Sequence, residues 1–349
     1  MYASIRTPFQ RQSFYAKGLH WVFYFYNMAI RYRVSADGLN WSAPTLVTGT
    51  SYGDFFSLHY DGTYVHYVCT SWGPRIWYRR GVPNSNGTIS WGAEEQDIPV
   101  LKDFYTTDPT ITVDSEGYPW VGCYGENLEP LICKSGQNNG TWTSNAPGFP
   151  YSLNPTRRYY GVVPVPLTSG KVYAIYLRSF KKEQAPDVPT APMFGKLWDG
   201  VTWSEEEVIS SSNVANTDFQ LASAIARGDD VHIALLKDLT YDLIHVKRAW
   251  PTGWEAERTI RPAATSSSAP VLSYSSGLDM LYCFWAEDNS VYYNTFAHNV
   301  WAEPVRLALE EEPISCQSIM CSYEDFDSII GVLWYLPTSS LVRYIHIVT

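Results

Sequence analysis

The stretch SADGLNWSAP, residues 35–44, sets a serine, an aspartate and a glycine ahead of a tryptophan. Asp37 and Gly38 suit a tight hairpin turn, because glycine tolerates positive φ and the short aspartate side chain bonds the turn backbone. Outward from Trp41 the pattern returns. Trp41, Trp91, Trp142, Trp203, Trp254 and Trp301 are spaced by 50, 51, 61, 51 and 47 residues, each just after a turn. Three runs precede each tryptophan, as FSLHY, TYVHYVC and RIWYRRGV do before Trp91. Turn residues separate the runs, and no helical period is present. Four short strands per repeat is the pattern of a β-propeller blade.

Six repeats own a tryptophan. The C-terminal runs QSIMCSY, SIIGVLWYL and LVRYIHIV match the first three strands of a seventh. The N-terminal run YASIRTP is a strand without a blade, and it is expected to close the seventh, since closure removes exposed sheet edges. The expectation is an all-β chain, a single propeller of seven four-stranded blades. Its blades fall near 10–50, 54–101, 105–152, 158–210, 217–262, 268–308 and 314–349, the last joined by 1–8. A six-bladed ring is the alternative, and it strands the last 35 residues.

Composition narrows the function classes. The hydrophobic share of 45% and charged share of 17% describe a chain that buries a core. A net charge of −10, with no Lys/Arg-rich block, argues against nucleic acid as a partner. No run of 18 apolar residues exists, so no membrane span is expected. The N-terminus lacks the basic and apolar sections of a secretory signal, and an extracellular or particle-associated setting is nonetheless the expectation. Cys69, Cys123, Cys133, Cys283, Cys316 and Cys321 show no metal spacing and read as buried free thiols. No phosphate loop, nucleophile elbow or zinc signature occurs, and no cofactor is expected. The sequons at Asn40, Asn86 and Asn139 fall in outer hairpins, where Asn-Gly-Thr and Asn-Trp-Ser are also ordinary turn chemistry.

SADGLNW resembles the Asp-box, the Ser-x-Asp-(x)-Gly-x-x-Trp hairpin repeated in sialidases and related BNR-repeat propellers. WDGVTW (198–203) keeps Asp-Gly and Trp without the serine, while NSNGTISW and NNGTW put asparagine in place of aspartate. The resemblance implies a sialidase-like propeller and a hairpin on the face away from the ligand. SIRTPF is distantly similar to the Arg-Ile-Pro motif that opens sialidases, with Arg6 as the first of their arginines. Residues 1–36 contain no Asp or Glu, however, so the acid/base aspartate of that family has no counterpart and a true sialidase is not expected.

In this architecture the loops entering each inner strand share one face with the loops joining the second and third strands. The entries carry Asp54, Asp108, Arg157, Arg158, Tyr159 and Asp218. The second-to-third loops carry Trp72, Glu126, Arg178, Lys237 and Glu287. Aromatic rings stack on pyranose faces and arginine forks pair with acidic sugars, so this set reads as a glycan site. Taken singly, each residue is also an ordinary turn former at a rim. The entries differ from blade to blade, which favours one asymmetric central site over repeated ones.

The expected function is recognition of a glycan or glycoconjugate. The first alternative is a glycoside hydrolase or polysaccharide lyase, with carboxylates among Asp54, Asp108 and Asp218, or Tyr159 as base beside Arg157 or Arg158. The second is a non-catalytic scaffold that binds a protein partner. The Pro- and charge-rich loop 178–193 is a further excursion in the fourth repeat.

Overall fold

The computed structural model describes residues 9–49, 51–71, 75–100, 109–125, 129–155, 161–176, 193–210, 222–237, 240–264, 269–315 and 318–349. They form seven antiparallel sheets in chain order, with no helix among the described residues. The inner strands are Ser13–Ala16, Ser51–Tyr60, Thr110–Val113, Val162–Pro166, Ala222–Arg227, Val271–Ser275 and Ile319–Cys321. Each begins a meander whose strands pair in sequence order, so every sheet is one blade. The fold is a seven-bladed β-propeller.

Blade one shows how the sequence builds the unit. Ser13–Ala16, Leu19–Tyr26, Ala29–Ser35 and Thr45–Thr48 lie side by side, with Ser13 opposite Val22 and Phe23 opposite Tyr32. Gly38 adopts φ +75°, and a Cβ there would lie 2.9 Å from His346 Nδ1, so both the turn and the neighbouring blade require glycine. Asp37 Oδ1 accepts from the amides of Leu39 and Asn40, both at 2.8 Å, and from Ser35 Oγ. Asp199 receives the amides of Val201 and Thr202 in the same way. Asn86 and Asn139 do this for Thr88 and Thr141, which explains why asparagine replaces aspartate there.

Four of the repeated tryptophans bind their blade to the one before it, while Trp91 packs on Tyr67 of its own blade. Trp142 packs on Tyr78, Trp203 on Trp120, Trp254 on Tyr173 and Trp301 on His245, with ring centroids 5.4, 6.3, 5.7 and 5.4 Å apart. Trp41 of the first blade meets Tyr344 of the seventh at 5.1 Å in the same manner. Tyr344 Oη also lies 2.7 Å from His20 Nδ1. The ring therefore closes by the contact that joins its other blades. The core lies in the wedges between blades, where clusters such as Trp120, Val162 and Tyr176 are fully buried. Gly122 belongs to one of them, where a Cβ would sit 2.1 Å from Val162 O.

The seventh sheet has three described strands, Ile319–Cys321, Ile329–Leu336 and Leu341–Val348. The fourth strand expected from residues 2–7 lies outside the described residues. Cys69, Cys123, Cys133, Cys283 and Cys321 are buried and form no disulfide among the described residues, and Cys316 lies outside the description.

Candidate functional site

Inner strands of neighbouring blades run side by side, and the bridge between Tyr274 and Glu324 is parallel. With parallel inner strands and antiparallel meanders, one face collects the entries to the inner strands and the turns between second and third strands. Two sequence-predicted residues on that face are fully described. Lys237 Nζ lies 3.3 Å from Glu257 Oε2, and Glu257 also accepts from Ser210 Oγ of blade four. Glu287 accepts from Arg261 Nε at 3.1 Å and from Trp285 Nε1 at 3.1 Å, while Trp285 stacks on Tyr292. Arg261 belongs to blade five and Glu287 to blade six, so this pair clasps two blades. Both residues are engaged in ion pairs.

The other candidates stand differently. Asp54 lies on the inner strand Ser51–Tyr60, which has a register shift between Ser51 and Phe56, but its side chain is outside the described residues. Trp72, Asp108, Glu126, Arg157, Arg158, Tyr159, Arg178 and Asp218 also lie outside them, as does nearly all of the loop 178–193.

The centre of the ring holds residues that sequence reading did not single out. Phe9, Gln10, Arg11 and Gln12 are buried along the axis. Gln12 O accepts from Phe23 N of blade one and Arg11 O from Leu58 N of blade two. Gln10 Nε2 donates to Pro109 O of blade three at 3.0 Å, and Phe9 packs with Val163 and Ala222 of blades four and five. The chain thus enters over blades four and five and crosses the channel to reach blade one.

Arg11 fixes this plug. Nη1 donates to Cys321 O and Nη2 to Ser223 Oγ, each at 3.3 Å, and the guanidinium sits 5.4 Å from the Tyr323 ring centroid. One side chain ties blade one to blades five and seven. The signal for this was the polar run QRQ just before the first strand, in a position where other blades carry Asp or Thr-Asp. At the opposite end of the inner strands, burial and the neighbouring Asp325 push the Glu324 carboxyl up to about 7. Neither Lys237 nor Glu287 lies on that face. Among the described residues no cluster of His, Cys, Asp and Glu is arranged to hold a metal, and no helix is long and apolar enough to cross a membrane.

No family model matches the chain, and no curated protein matches it. Solved structures match over nearly its whole length. The BP39L lectin from Burkholderia pseudomallei superposes with a TM-score of 0.71 at 10% identity, covering 99% of this chain and 94% of the lectin. An ulvan lyase of polysaccharide lyase family PL25, bound to -[GlcA(1-4)Rha3S]-, gives a TM-score of 0.61 at 11% identity over 98% of this chain and 93% of its own. The Aleuria aurantia lectin AAL, in complex with Fucalpha1-6GlcNAc, gives 0.54 at 9% identity over 81% and 87%. At such identity the likeness shows the fold. The class defined is a seven-bladed propeller similar in architecture to propeller lectins and polysaccharide lyases.

Proposed function

We propose that the chain is a carbohydrate-recognising propeller that binds a glycan or glycoconjugate at one asymmetric site on its loop face. The observation that carries this reading is strand order. Asp54, Asp108, Arg157, Arg158, Tyr159 and Asp218 all precede or open inner strands, Trp72, Glu126, Arg178 and Lys237 fall between second and third strands, and Glu287 ends a second strand. Carboxylates, arginines and aromatics gathered at one end of a rigid frame are the chemistry that recognises sugars. Arg11 and its neighbours fill the channel beneath, so a ligand would rest on a floor and not pass through. The fold shared with lectins and lyases supports the same reading.

A second reading is a lyase at the same residues, favoured by the likeness to the ulvan lyase. Tyr159 would then serve as base beside Arg157 or Arg158, and a hydrolase would instead pair carboxylates among Asp54, Asp108 and Asp218. The Asp37 hairpin is part of this proposal as an Asp-box of the sialidase-like kind, supported by the turn bonds that Asp37 and Asp199 receive.

The test is a glycan array, including acidic oligosaccharides, probed with the wild type and with Arg158→Ala, each hit being incubated and examined for cleavage. Binding that the substitution abolishes, with no products, supports recognition. Products support the enzyme reading. An array with no hits defeats both and leaves a protein-binding scaffold.

A further inference from the structure

The rim between blades seven and one holds a groove of about 570 Å³. Tyr24, Tyr26, Trp41 and Tyr344 line it with rings, and Arg33 and Arg343 with guanidinium groups. No carboxylate lines it among the described residues, in a chain of net charge −10. Arg33 Nε donates to Tyr24 Oη at 3.2 Å, and Arg343, half exposed, lies 3.6 Å from Glu310. Asp37 is near, but its oxygens are turned into their own hairpin.

One wall of the groove is the strand Leu341–Val348. In each of the first six blades the third strand is paired to a fourth, and here the outer edge is unpaired among the described residues. Thr349 N donates to Ser328 O, and Val348 stands opposite Ile329. Antiparallel alternation then turns the amides of Val342, Tyr344 and His346 away from Ile329–Leu336 and toward the open side. An edge eight residues long with exposed Leu341 and Val348 is a template for another strand.

The boundary between blades four and five shows what such a strand supplies. There the fourth strand of blade four brings Glu207, which accepts from Arg248 at 2.7 and 2.8 Å and from Trp254 Nε1 at 2.8 Å. Arg248 is on the third strand of blade five and Trp254 follows its hairpin. At the boundary between seven and one, Arg33 and Trp41 occupy the corresponding elements of blade one, with no carboxylate lining the groove opposite them among the described residues. Residues 1–8 contain no Asp or Glu. They also lead into Phe9, which is buried against blades four and five, across the channel from the groove.

We infer that the open edge of the seventh blade is a docking site for an extended acidic segment of a partner protein. The segment adds as a fourth strand and presents a carboxylate to Arg33 and Trp41. Main-chain pairing gives affinity and the groove gives selectivity, as in other strand-addition complexes.

The chain supplies its own probe: a synthetic peptide of residues 204–210, SEEEVIS, which contains Glu207. The expected result is that Val342, Tyr344 and His346 amides exchange fast in the intact chain and slow on adding the peptide. A version with Glu207→Gln should bind about tenfold more weakly, as a lost charge-assisted bond requires. Arg33→Gln, with the wild-type circular dichroism spectrum, should weaken SEEEVIS by a similar factor and the Gln version little. Three results would overturn the inference. One is edge amides that are already slow and become fast on deleting residues 1–8, which assigns the edge to the chain's own N-terminus. Another is protection that tracks protein concentration, which assigns it to a second copy. The third is an open edge that SEEEVIS at millimolar concentration leaves unprotected.

Discussion

Trp41, in the first blade, stands edge-on to Tyr344 of the seventh, their ring centroids 5.1 Å apart at 80°. The same contact, between Trp142 and Tyr78, is buried inside the ring, with Trp142 only 2% exposed. Truncating a fully buried tryptophan costs about 3–5 kcal/mol, while one left half in water costs less. Trp142→Ala is therefore expected to destabilise by about 3–5 kcal/mol and Trp41→Ala by about 1–2 kcal/mol. Urea midpoints of the two variants check this. Equal losses would mean that the boundary between seven and one is as closed as the others.

Arg11 is a buried cation with a carbonyl, a hydroxyl and an aromatic face around it, and no carboxylate within ion-pair distance among the described residues. Arg11→Met keeps much of the bulk but strands the Cys321 carbonyl and the Ser223 hydroxyl, for a loss of about 1–3 kcal/mol. Arg11→Ala also opens a cavity, and the loss should rise to about 3–5 kcal/mol. Thermal unfolding of both variants separates the two roles. A methionine variant as stable as the wild type would make Arg11 a space filler.

Blade count and strand order were legible because alternation and turn chemistry are local, and six tryptophans mark the period. The hairpins around Asp37, Asn86, Asn139 and Asp199 behave as their residues dictate. Arg11 was not legible as a plug, since its partners Ser223 and Cys321 are separated from it by 212 and 310 residues. Lys237 and Glu287 carry the residue types of a binding site, but whether a charge faces a ligand or a neighbouring blade depends on who stands opposite. Glu257 and Arg261 decide that, and they belong to the outer strand region of blade five, distant in sequence from the loops they meet.

Glu207 gathers Arg248, Tyr173 and Trp254 at one carboxylate. Burial alone would raise this group, and the hydrogen bonds and charge of its partners more than offset that, so it lies below its ordinary value. The unfolded chain then takes up the proton first on acidification. The contribution is complete above the unfolded value of about 4.3 and is lost as pH falls from there toward the depressed folded value. Glu207→Gln should cost about 2 kcal/mol at neutral pH. Urea titrations of wild type and variant should converge as pH drops below about 4. A gap independent of pH would show that packing, not charge, sets the loss.

His232 and His245 are fully buried and stacked, with Nδ1 of one 2.9 Å from Nε2 of the other. One ring must donate and the other accept, so the two cannot both be protonated, and burial disfavours charge on either. Burial lowers His232 to about 3 and holds His245 well below its usual value, with the neighbouring cations adding to the effect. His20 and His59 are each lowered to about 4, again chiefly by burial, and His66 is lowered too. Below about 6.5 the unfolded chain binds protons that these folded rings refuse. Stability should therefore be complete above that value and fall as pH drops through the range from about 6.5 toward 4, before the carboxylates respond. The slope of unfolding free energy against pH counts the protons taken up, and each ring contributes at most one. Replacing both rings, as His232→Phe with His245→Phe, should reduce the uptake near pH 5 by about two protons. An unchanged slope in that variant would place the acid sensitivity elsewhere and make the stacked pair a packing element alone.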